Sequence, residues 1–296
     1  MLTACSNEEN GADNWAGEIR LTSGLTAQSV GTKAATAIQG AQFDKGEALS
    51  VYINENTTGT PTTTYAQPLA YTADGSGGLT TANQPFFPTS GNGVNIYALY
   101  PASATPAAAF TVQADQSSDA NYKKSDLMYG KPAQNPVNRT SSAVNIGFTH
   151  LLSKVTVVLE SGDGNPNLAG AVVKLKQLKP TTTLTADING ASVSEAAGDA
   201  TDITVMTAAA DALSGSAVVV PQTLAPSFIE VTLPDGGVLT SSSLKDDAGN
   251  PITSVVLTGS KEFKYTIKVN LTGLSVTSSI SNWNDGGTTN GTATMQ

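Results

Sequence analysis

The sequence predicts an all-β fold, and three features lead to that prediction. Apolar and polar residues alternate with a period of two in many short segments, which is the pattern of half-buried strands. The 28 glycines and 14 prolines separate these segments with turns. Charged residues make up only 13% of the chain, so Ser, Thr, Asn and Gly carry its solubility. Together these features predict β-sandwiches with little helix.

The composition also limits the class of protein. The 296 residues suffice for one large or two ordinary all-β domains. A net charge of −9 and a pI of about 4.5 argue against nucleic acid or an anionic membrane surface as a partner. The single Cys and the single His exclude internal disulfides and a His-rich metal site. The uncharged polar surface favours an extracellular or assembly protein over a cytosolic enzyme.

The first residues resemble a bacterial lipoprotein signal. Leu2-Thr3-Ala4-Cys5 fits a lipobox, and a polar, acidic tether follows it within residues 1–17. The charged and apolar regions of a signal peptide do not precede the motif. The alternative is an incidental Cys in a disordered tail. We expect Cys5 to be lipidated.

The segment at 18–33 is predicted to be a short strand followed by a flexible neck. Ile19 and Leu21 alternate with polar residues, and Ser-Gly then ends the pattern. The polar neck ends at Lys33, which small Ala34 follows, so a trypsin-like protease has a cleavage site there. We interpret this strand as a removable part of the N-terminal domain.

More strands follow in both halves of the chain. A shift from Pro and aromatic residues to Thr and Val places a domain boundary near Ser142, which gives domains at 18–142 and 143–296. Residues 121–130 read as a polar loop, and only residues 208–213 favour a helical turn or two. The predicted strands are 48–53, 69–72, 79–81, 94–101, 155–159, 171–178, 183–188, 192–193, 203–206, 216–221, 228–233, 238–241, 263–271 and 274–280.

Motifs of known enzyme classes are missing from the sequence. It contains no GxSxG, HExxH, P-loop or CxxC motif. His150 has no partner motif nearby, so a packing role is favoured over that of a base or ligand. The acidic stretch 246–250 is better explained as a solvated turn than as a calcium loop. We therefore predict no enzyme, no cofactor and no metal, although two carboxylates would suffice for a glycosidase.

A removable terminal strand has a consequence for assembly. The groove it leaves exposes unpaired backbone groups, which bind an extended peptide from another chain. This is a mechanism of polymerisation without catalytic residues. Loop aromatics offer a second possibility, because they stack on sugars when they do not belong to the core. These aromatics are Tyr65, Phe86, Phe87 and Tyr122.

Several stretches, taken in order, resemble the fimbrillin family, the type V pilus subunits of Bacteroidales. They span most of the chain, from Cys5 to Gly287. They are LTAC, EIRLTSG with GTKA, FDKGEALSVYI, QPFFP, VNIYALYP, SDLMYG, GFTHLLSKVTVVL, VVVPQT, FKYTIKVNLTGL and ISNWNDGG.

The resemblance implies two transthyretin-like β-sandwich domains in tandem and export as an outer-membrane lipoprotein. It also implies that an arginine- or lysine-directed protease removes the N-terminal strand together with the lipid. Cys5 matches the lipidated position, and Lys33-Ala34 best matches the cleavage point. Arg20 is the alternative cleavage point, but it lies inside the strand pattern. Other pilus subunits, in a homo- or hetero-polymer, and the protease are the implied partners.

In such proteins the freed groove accepts a strand from the next subunit, often from its C-terminal segment. The resemblance therefore makes residues 274–296 the donor segment. Leu274, Val276 and Ile280 share one strand face, whereas Trp283 is out of phase with them. A tail of this length favours a stalk subunit at the cell surface. The alternative is a pilus tip or surface adhesin that binds glycan or protein through its loops.

Overall fold

In a computed structural model of the protein, the described residues are 15–25, 42–241, 244–245, 251–270, 273–283 and 288–295. Within these ranges the chain forms 23 strands and one short α-helix. The prediction of an all-β fold with little helix is confirmed.

Seven of the first eight strands form a closed barrel, and one short helix lies between the sixth and seventh strands. The elements up to residue 150 are β1 (Leu21–Leu25), β2 (Ala48–Glu55), β3 (Leu69–Ala73), β4 (Gly78–Thr80), β5 (Val94–Tyr100), β6 (Ala109–Thr111), α1 (Asp119–Ser125), β7 (Met128–Pro132) and β8 (Val144–His150). The order of strands in the barrel is β1-β4-β3-β2-β5-β7-β8.

The rest of the chain builds two larger sheets and two small ones. Its strands are β9 (Ser153–Ser161), β10 (Val172–Leu178), β11 (Thr181–Ala186), β12 (Ala191–Val193), β13 (Thr201–Thr207), β14 (Ser214–Val219), β15 (Gln222–Leu224), β16 (Ile229–Thr232), β17 (Val238–Thr240), β18 (Leu244–Lys245), β19 (Pro251–Ile252), β20 (Val255–Leu257), β21 (Lys261–Asn270), β22 (Gly273–Asn282) and β23 (Thr288–Met295). The sheets have the orders β13-β10-β16-β17, β14-β9-β21-β22-β23-β18-β19, β12-β11-β6 and β15-β20.

Two hydrophobic cores follow from this arrangement. One lies inside the barrel, where alternate residues of its strands, such as Leu49, Ile96 and Phe148, are buried. The other joins alternate residues of the four-stranded and seven-stranded sheets, among them Val173 of β10 and Ile267 of β21. These two sheets therefore face each other as a sandwich.

The domain boundary predicted near residue 142 stays a prediction. Strand pairing shows, however, that the barrel itself continues beyond that residue. Strand β8 follows that position, and it pairs with β7 from Met128↔His150 to Pro132↔Ile146. In addition, β6 from the first half pairs with β11 from the second. The barrel thus extends past residue 142, and one strand of the first half joins the second half.

The structure differs from the sequence prediction in several elements, and eight of its strands were not predicted: β6, β7, β8, β15, β18, β19, β20 and β23. Helix α1 occupies part of the expected polar loop, where the Ser118 hydroxyl caps the Asn121 amide. Residues 208–213 contain a tight turn closed by the Ala209↔Ala212 bridge instead of helical turns. Strand β23 lies in the polar tail, where apolar alternation is too weak to indicate a strand.

Candidate functional site: the groove of the N-terminal strand

Strand β1 closes the barrel by filling the space between β4 and β8. It pairs antiparallel with β4 over Leu21↔Leu79 and Thr22↔Gly78. It pairs parallel with β8 over five residues, from Leu21↔Val144 to Leu25↔Phe148. The strand therefore has a hydrogen-bonded neighbour on each side, and without it both neighbours would become sheet edges.

The chain before β1 continues the same pairing past the end of β4. The Ile19 amide donates to the Pro85 carbonyl at 2.8 Å, and the Phe87 amide donates to the Gly17 carbonyl at 2.9 Å. We call the space lined by residues 77–79, 85–87 and 144–148 the N-terminal groove. Residues 17–25 occupy it as one extended segment.

Side chains of this segment alternate between the core and the surface. Ile19 is fully buried, Leu21 is 4% exposed and Ser23 is 5% exposed. Complete burial of a large aliphatic side chain contributes about 1.5–3 kcal/mol, so Ile19 and Leu21 supply much of the attachment. Ile19 and Leu21, the residues predicted for the displaced strand, thus lie in the barrel core, and Leu25 packs against the same core. Displacement of the strand stays a prediction.

A second contact fixes the entrance of the groove. Trp15 packs edge-on against Phe87, with ring centroids 6.4 Å apart, and the Arg139 guanidinium lies 4.7 Å over the Trp15 ring. Gly17 has a φ of +109°, and a Cβ there would lie 2.6 Å from Arg139 Nη2. Only glycine fits this position without a shift, because the backbone is left-handed and the guanidinium lies directly against it.

The predicted processing residues fall mostly outside the described part of the chain. Cys5, Lys33 and Ala34 all lie there. The alternative cleavage residue, Arg20, is exposed and forms a 4.0 Å ion pair with Glu18. Its carbonyl accepts a 2.8 Å hydrogen bond from the Val144 amide. A protease would therefore have to unpair the strand before cutting at Arg20.

Three of the four predicted donor residues, Leu274, Val276 and Ile280, lie in β22 at the middle of the seven-stranded sheet, and Trp283 directly follows the strand. This strand pairs with β21 over ten residues, from Lys261↔Asn282 to Asn270↔Gly273, and with β23 on its other side. Leu274, Val276 and Trp283 are buried, whereas Ile280 is 42% exposed. Residues 274–283 are therefore part of their own subunit here, and they would have to leave β21 before acting in another.

Comparison of β1 with β22 reveals a likeness that the sequence reading missed. Residues 19–25 read IRLTSGL, and residues 274–280 read LSVTSSI. The pattern aliphatic-x-aliphatic-Thr-Ser-x-aliphatic is common to both. Strand β23, TTNGTATM, lacks it. Aligning the two segments on their inward-facing positions would have found the likeness.

The loop aromatics divide into buried and accessible residues. Phe87 is 4% and Tyr122 is 2% exposed, so both belong to the core. Phe86 is 46% exposed, and half-buried Tyr65 donates a 2.7 Å hydrogen bond to its carbonyl. Only Tyr65 and Phe86 of the four predicted aromatics are therefore available to a ligand.

His150 belongs to a buried contact, as its expected packing role requires. It is 4% exposed, its Nδ1 lies 2.7 Å from Asp126 Oδ1, and its ring stacks on Trp283.

In the described ranges, no group of three or more His, Cys, Asp or Glu residues is arranged to hold a metal ion. The helix found in those ranges does not have the length and apolarity that crossing a membrane requires.

Comparison with known proteins gives the family. The model of the fimbrillin-like family matches residues 32–283. The chain belongs to this family. Its members are fimbrial and adhesion proteins rather than enzymes, and this agrees with the resemblance found in the sequence. A search of curated proteins found no match.

Solved structures share the fold of this fimbrillin-like chain. A candidate cell adhesion protein from Bacteroides uniformis is 21% identical with a TM-score of 0.64, over 90% of this chain and 98% of that one. Another from Bacteroides ovatus is 15% identical with a TM-score of 0.68, over 90% and 97%. The tip fimbrial protein Mfa3 from Porphyromonas gingivalis is 9% identical with a TM-score of 0.51, over 90% and 99%.

Proposed function

We propose that this fimbrillin-like protein is a stalk subunit of a cell-surface pilus that polymerises by strand exchange. The precursor is exported as a lipoprotein through Cys5 and is cut after Lys33 by a trypsin-like protease. The cut separates the N-terminal strand from the rest of the chain. A strand of another subunit then occupies the N-terminal groove.

The position of β1 is the observation that carries this proposal. A cut after Lys33 falls between β1 and β2, so afterwards only non-covalent contacts hold β1 in the barrel. When β1 leaves, Val144 N, Phe87 N and Pro85 O lose their hydrogen-bond partners. An unpaired buried group costs about 1–3 kcal/mol, and the apolar pockets of Ile19 and Leu21 open at the same time. The open groove therefore favours a replacement strand.

The sequence of β22 supports the donor assignment. In the alignment of 274–280 with 19–25, Leu274 takes the place of Ile19, Val276 that of Leu21 and Ile280 that of Leu25. Ser278 takes the small, buried place of Ser23. A second copy of the chain therefore carries a strand of the required chemistry. Trp283 follows this segment and stays outside the matched positions.

Limited trypsin digestion of the purified precursor tests the proposal. We expect cleavage after Lys33, loss of the N-terminal fragment and a ladder of polymers on an unboiled SDS gel. Lys33→Ala should abolish the ladder, and Arg20→Ala, the matched control, should leave it unchanged. Clipping at Lys33 without polymers would refute strand exchange. A ladder that persists in Lys33→Ala and disappears in Arg20→Ala would instead place the cleavage site at Arg20.

The exposed pair Tyr65 and Phe86 favours a second candidate function, that of a pilus tip or surface adhesin. An accessible aromatic ring beside polar loop residues is a surface on which sugars stack. A glycan array should then give binding that Phe86→Ala removes and Gln84→Ala, its exposed neighbour, retains. An array without signals, or signals insensitive to Phe86, argues against a glycan ligand at this surface.

A further inference from the structure

Strand β8 takes part in two contacts that concern assembly. Its residues 144–148 pair with β1 in the N-terminal groove. Its last residue, His150, contacts the end of β22, the predicted donor strand. The inward face of β8 is continuous across both contacts, because Ile146, Phe148 and His150 are all buried on it.

The second contact is tightly built. The rings of His150 and Trp283 stack with centroids 3.7 Å apart and planes within 8° of each other. Trp283 is 1% exposed, and its amide donates to the Ser260 carbonyl at 2.9 Å. The Ser260 hydroxyl in turn donates to the His150 carbonyl. We call Trp283, His150, Ser260 and Asp126 the latch.

Asp126 fixes the orientation of the imidazole in the latch. It is fully buried at the C-terminal end of α1, with Oδ1 2.7 Å from His150 Nδ1. The Ser260 amide donates to the Leu152 carbonyl at 2.9 Å, which ties the same loop to the residues just after β8. The latch thus joins the end of the barrel to the end of β22.

We propose that the latch holds β22 in its own subunit and that the N-terminal strand keeps the latch closed through β8. The proposal rests on the proposed function, since it explains how a donor strand becomes available only after maturation. With β1 in place, β8 has two hydrogen-bonded neighbours. When β1 leaves, β8 keeps only β7 as a neighbour and becomes an edge strand. Its last residue, His150, is the one on which Trp283 stacks.

The physical basis is local stability. Edge strands with one neighbour open more readily than strands paired on both sides. Opening at the end of β8 separates the His150 ring from the Trp283 ring. The C-terminal end of β22 then loses the stacking contact that anchors it. Removing the N-terminal strand therefore lowers the cost of releasing β22, without any direct contact between the two strands.

Hydrogen exchange and tryptophan fluorescence test this coupling. The chain has two Trp residues, Trp15 and Trp283, and the fragment removed by cleavage contains Trp15. Trp283 is then the only tryptophan of the cut protein, and Trp15→Phe gives the matched uncut protein. After cleavage we expect stronger acrylamide quenching of Trp283 and amide exchange in β22 faster by about tenfold. Exchange in β10, which lies in the four-stranded sheet and contributes no residue to the latch, serves as the control and should not change.

A substitution in the latch should mimic cleavage. In the uncut protein, His150→Ala should accelerate β22 exchange, whereas Ile280→Ser, on the same strand but outside the latch, should not. In the cut protein His150→Ala should add little, because the latch is already open. Adding the peptide of residues 18–25 to the cut protein should restore protection.

The outcomes separate this inference from the proposed function. Cleavage can produce polymers while the amide exchange of β22 and the acrylamide quenching of Trp283 stay unchanged. That result would refute the latch but not polymerisation by strand exchange. Additive effects of His150→Ala and cleavage refute the coupling through β8. A cut protein that loses its N-terminal fragment and never polymerises refutes the proposed function, and the role of the latch with it.

Discussion

At the scale of single residues, Glu55 shows how a carboxylate holds loops in place. It lies at the end of β2, is 6% exposed, and accepts hydrogen bonds from the hydroxyl of Ser90 at 2.6 Å and the amide of Asn92 at 2.8 Å. The backbone amides of Thr62 and Thr63 donate to it as well, at 2.6 and 2.9 Å. The hydrogen bond from Ser90 is the largest cause that lowers the pKa of Glu55 to about 2.

This lowered pKa predicts an acid-dependent loss of stability. The unfolded value is near 4.5, so the stabilisation by Glu55 is complete above that pH and is lost as the pH falls towards 2. Glu55→Gln should lower the Tm at pH 7 and flatten its dependence on pH between 4.5 and 2. Thermal unfolding followed by circular dichroism at several pH values measures both effects.

The control for Glu55→Gln is Glu195→Gln, an exposed carboxylate, which should leave the pH profile unchanged. An equal flattening in both variants would show that the acid sensitivity does not come from Glu55. The sequence could not have predicted this site, because Ser90 and Asn92 lie 35 and 37 residues away from Glu55. Only the fold brings them together.

At the scale of elements, alternation predicted the strands that have one buried and one exposed face. Phe263–Leu271 was predicted, and β21 has buried Phe263, Tyr265, Ile267 and Val269 on one side. Strand β1 was predicted only at its start, because Ser23 and Gly24, which were expected to end the alternation, continue the strand to Leu25. Strand β23 was not, since its residues are mostly Thr, and α1 was not, since seven residues are too few for a periodic signal.

The groove itself was predictable only in part. The sequence identified Ile19 and Leu21 as the strand that fills it, because their spacing reveals a shared face. It could not reveal that β1 is parallel to β8, or that Trp283 lies against His150, because pairing between distant segments leaves no local pattern. The bend that carries Trp283 from out of phase into the core is likewise a tertiary effect.

The likeness between β1 and β22 yields a prediction about peptides. Added to the cut protein, peptides of residues 18–25 (EIRLTSGL) and 273–280 (GLSVTSSI) should bind the groove, because both place aliphatic side chains at its pockets. A peptide of residues 288–295 (TTNGTATM) should not. At a hundredfold excess over Kd, binding should raise the Tm by roughly 5–10 °C, which differential scanning fluorimetry measures.

A scrambled version of residues 273–280 is the composition control, and it should give no shift. Equal binding by residues 288–295 would mean that backbone pairing, rather than side-chain fit, decides which strand enters. In that case β23, and not β22, would be the donor. The peptides therefore locate the donor strand independently of the cleavage experiment.

At the scale of the whole molecule, a tyrosine layer joins the barrel to the second half. Tyr52, Tyr97 and Tyr129 lie on three adjacent barrel strands and belong to the core cluster of the second half. Tyr52 and Tyr97 stack with centroids 4.5 Å apart, and Tyr97 and Tyr129 lie 6.1 Å apart. The Tyr129 hydroxyl donates to the Asp187 carbonyl at 2.8 Å, in the turn between β11 and β12. These three rings thus attach the barrel wall to the core of the second half.

This attachment predicts that the chain unfolds in one cooperative transition and that Tyr97→Ala divides it into two. Tyr97 is the middle ring of the layer, so truncating it removes contacts on both sides, and an aromatic-to-Ala change in a core costs about 3–5 kcal/mol. Differential scanning calorimetry should show a single peak for the parent chain and a separate, earlier peak for the barrel in the variant. Phe86→Ala, which truncates an exposed aromatic on the barrel, should leave the single peak in place. One peak shifted to lower temperature in Tyr97→Ala would contradict this prediction, because other contacts between the halves, such as the pairing of β6 with β11, would then suffice to couple them.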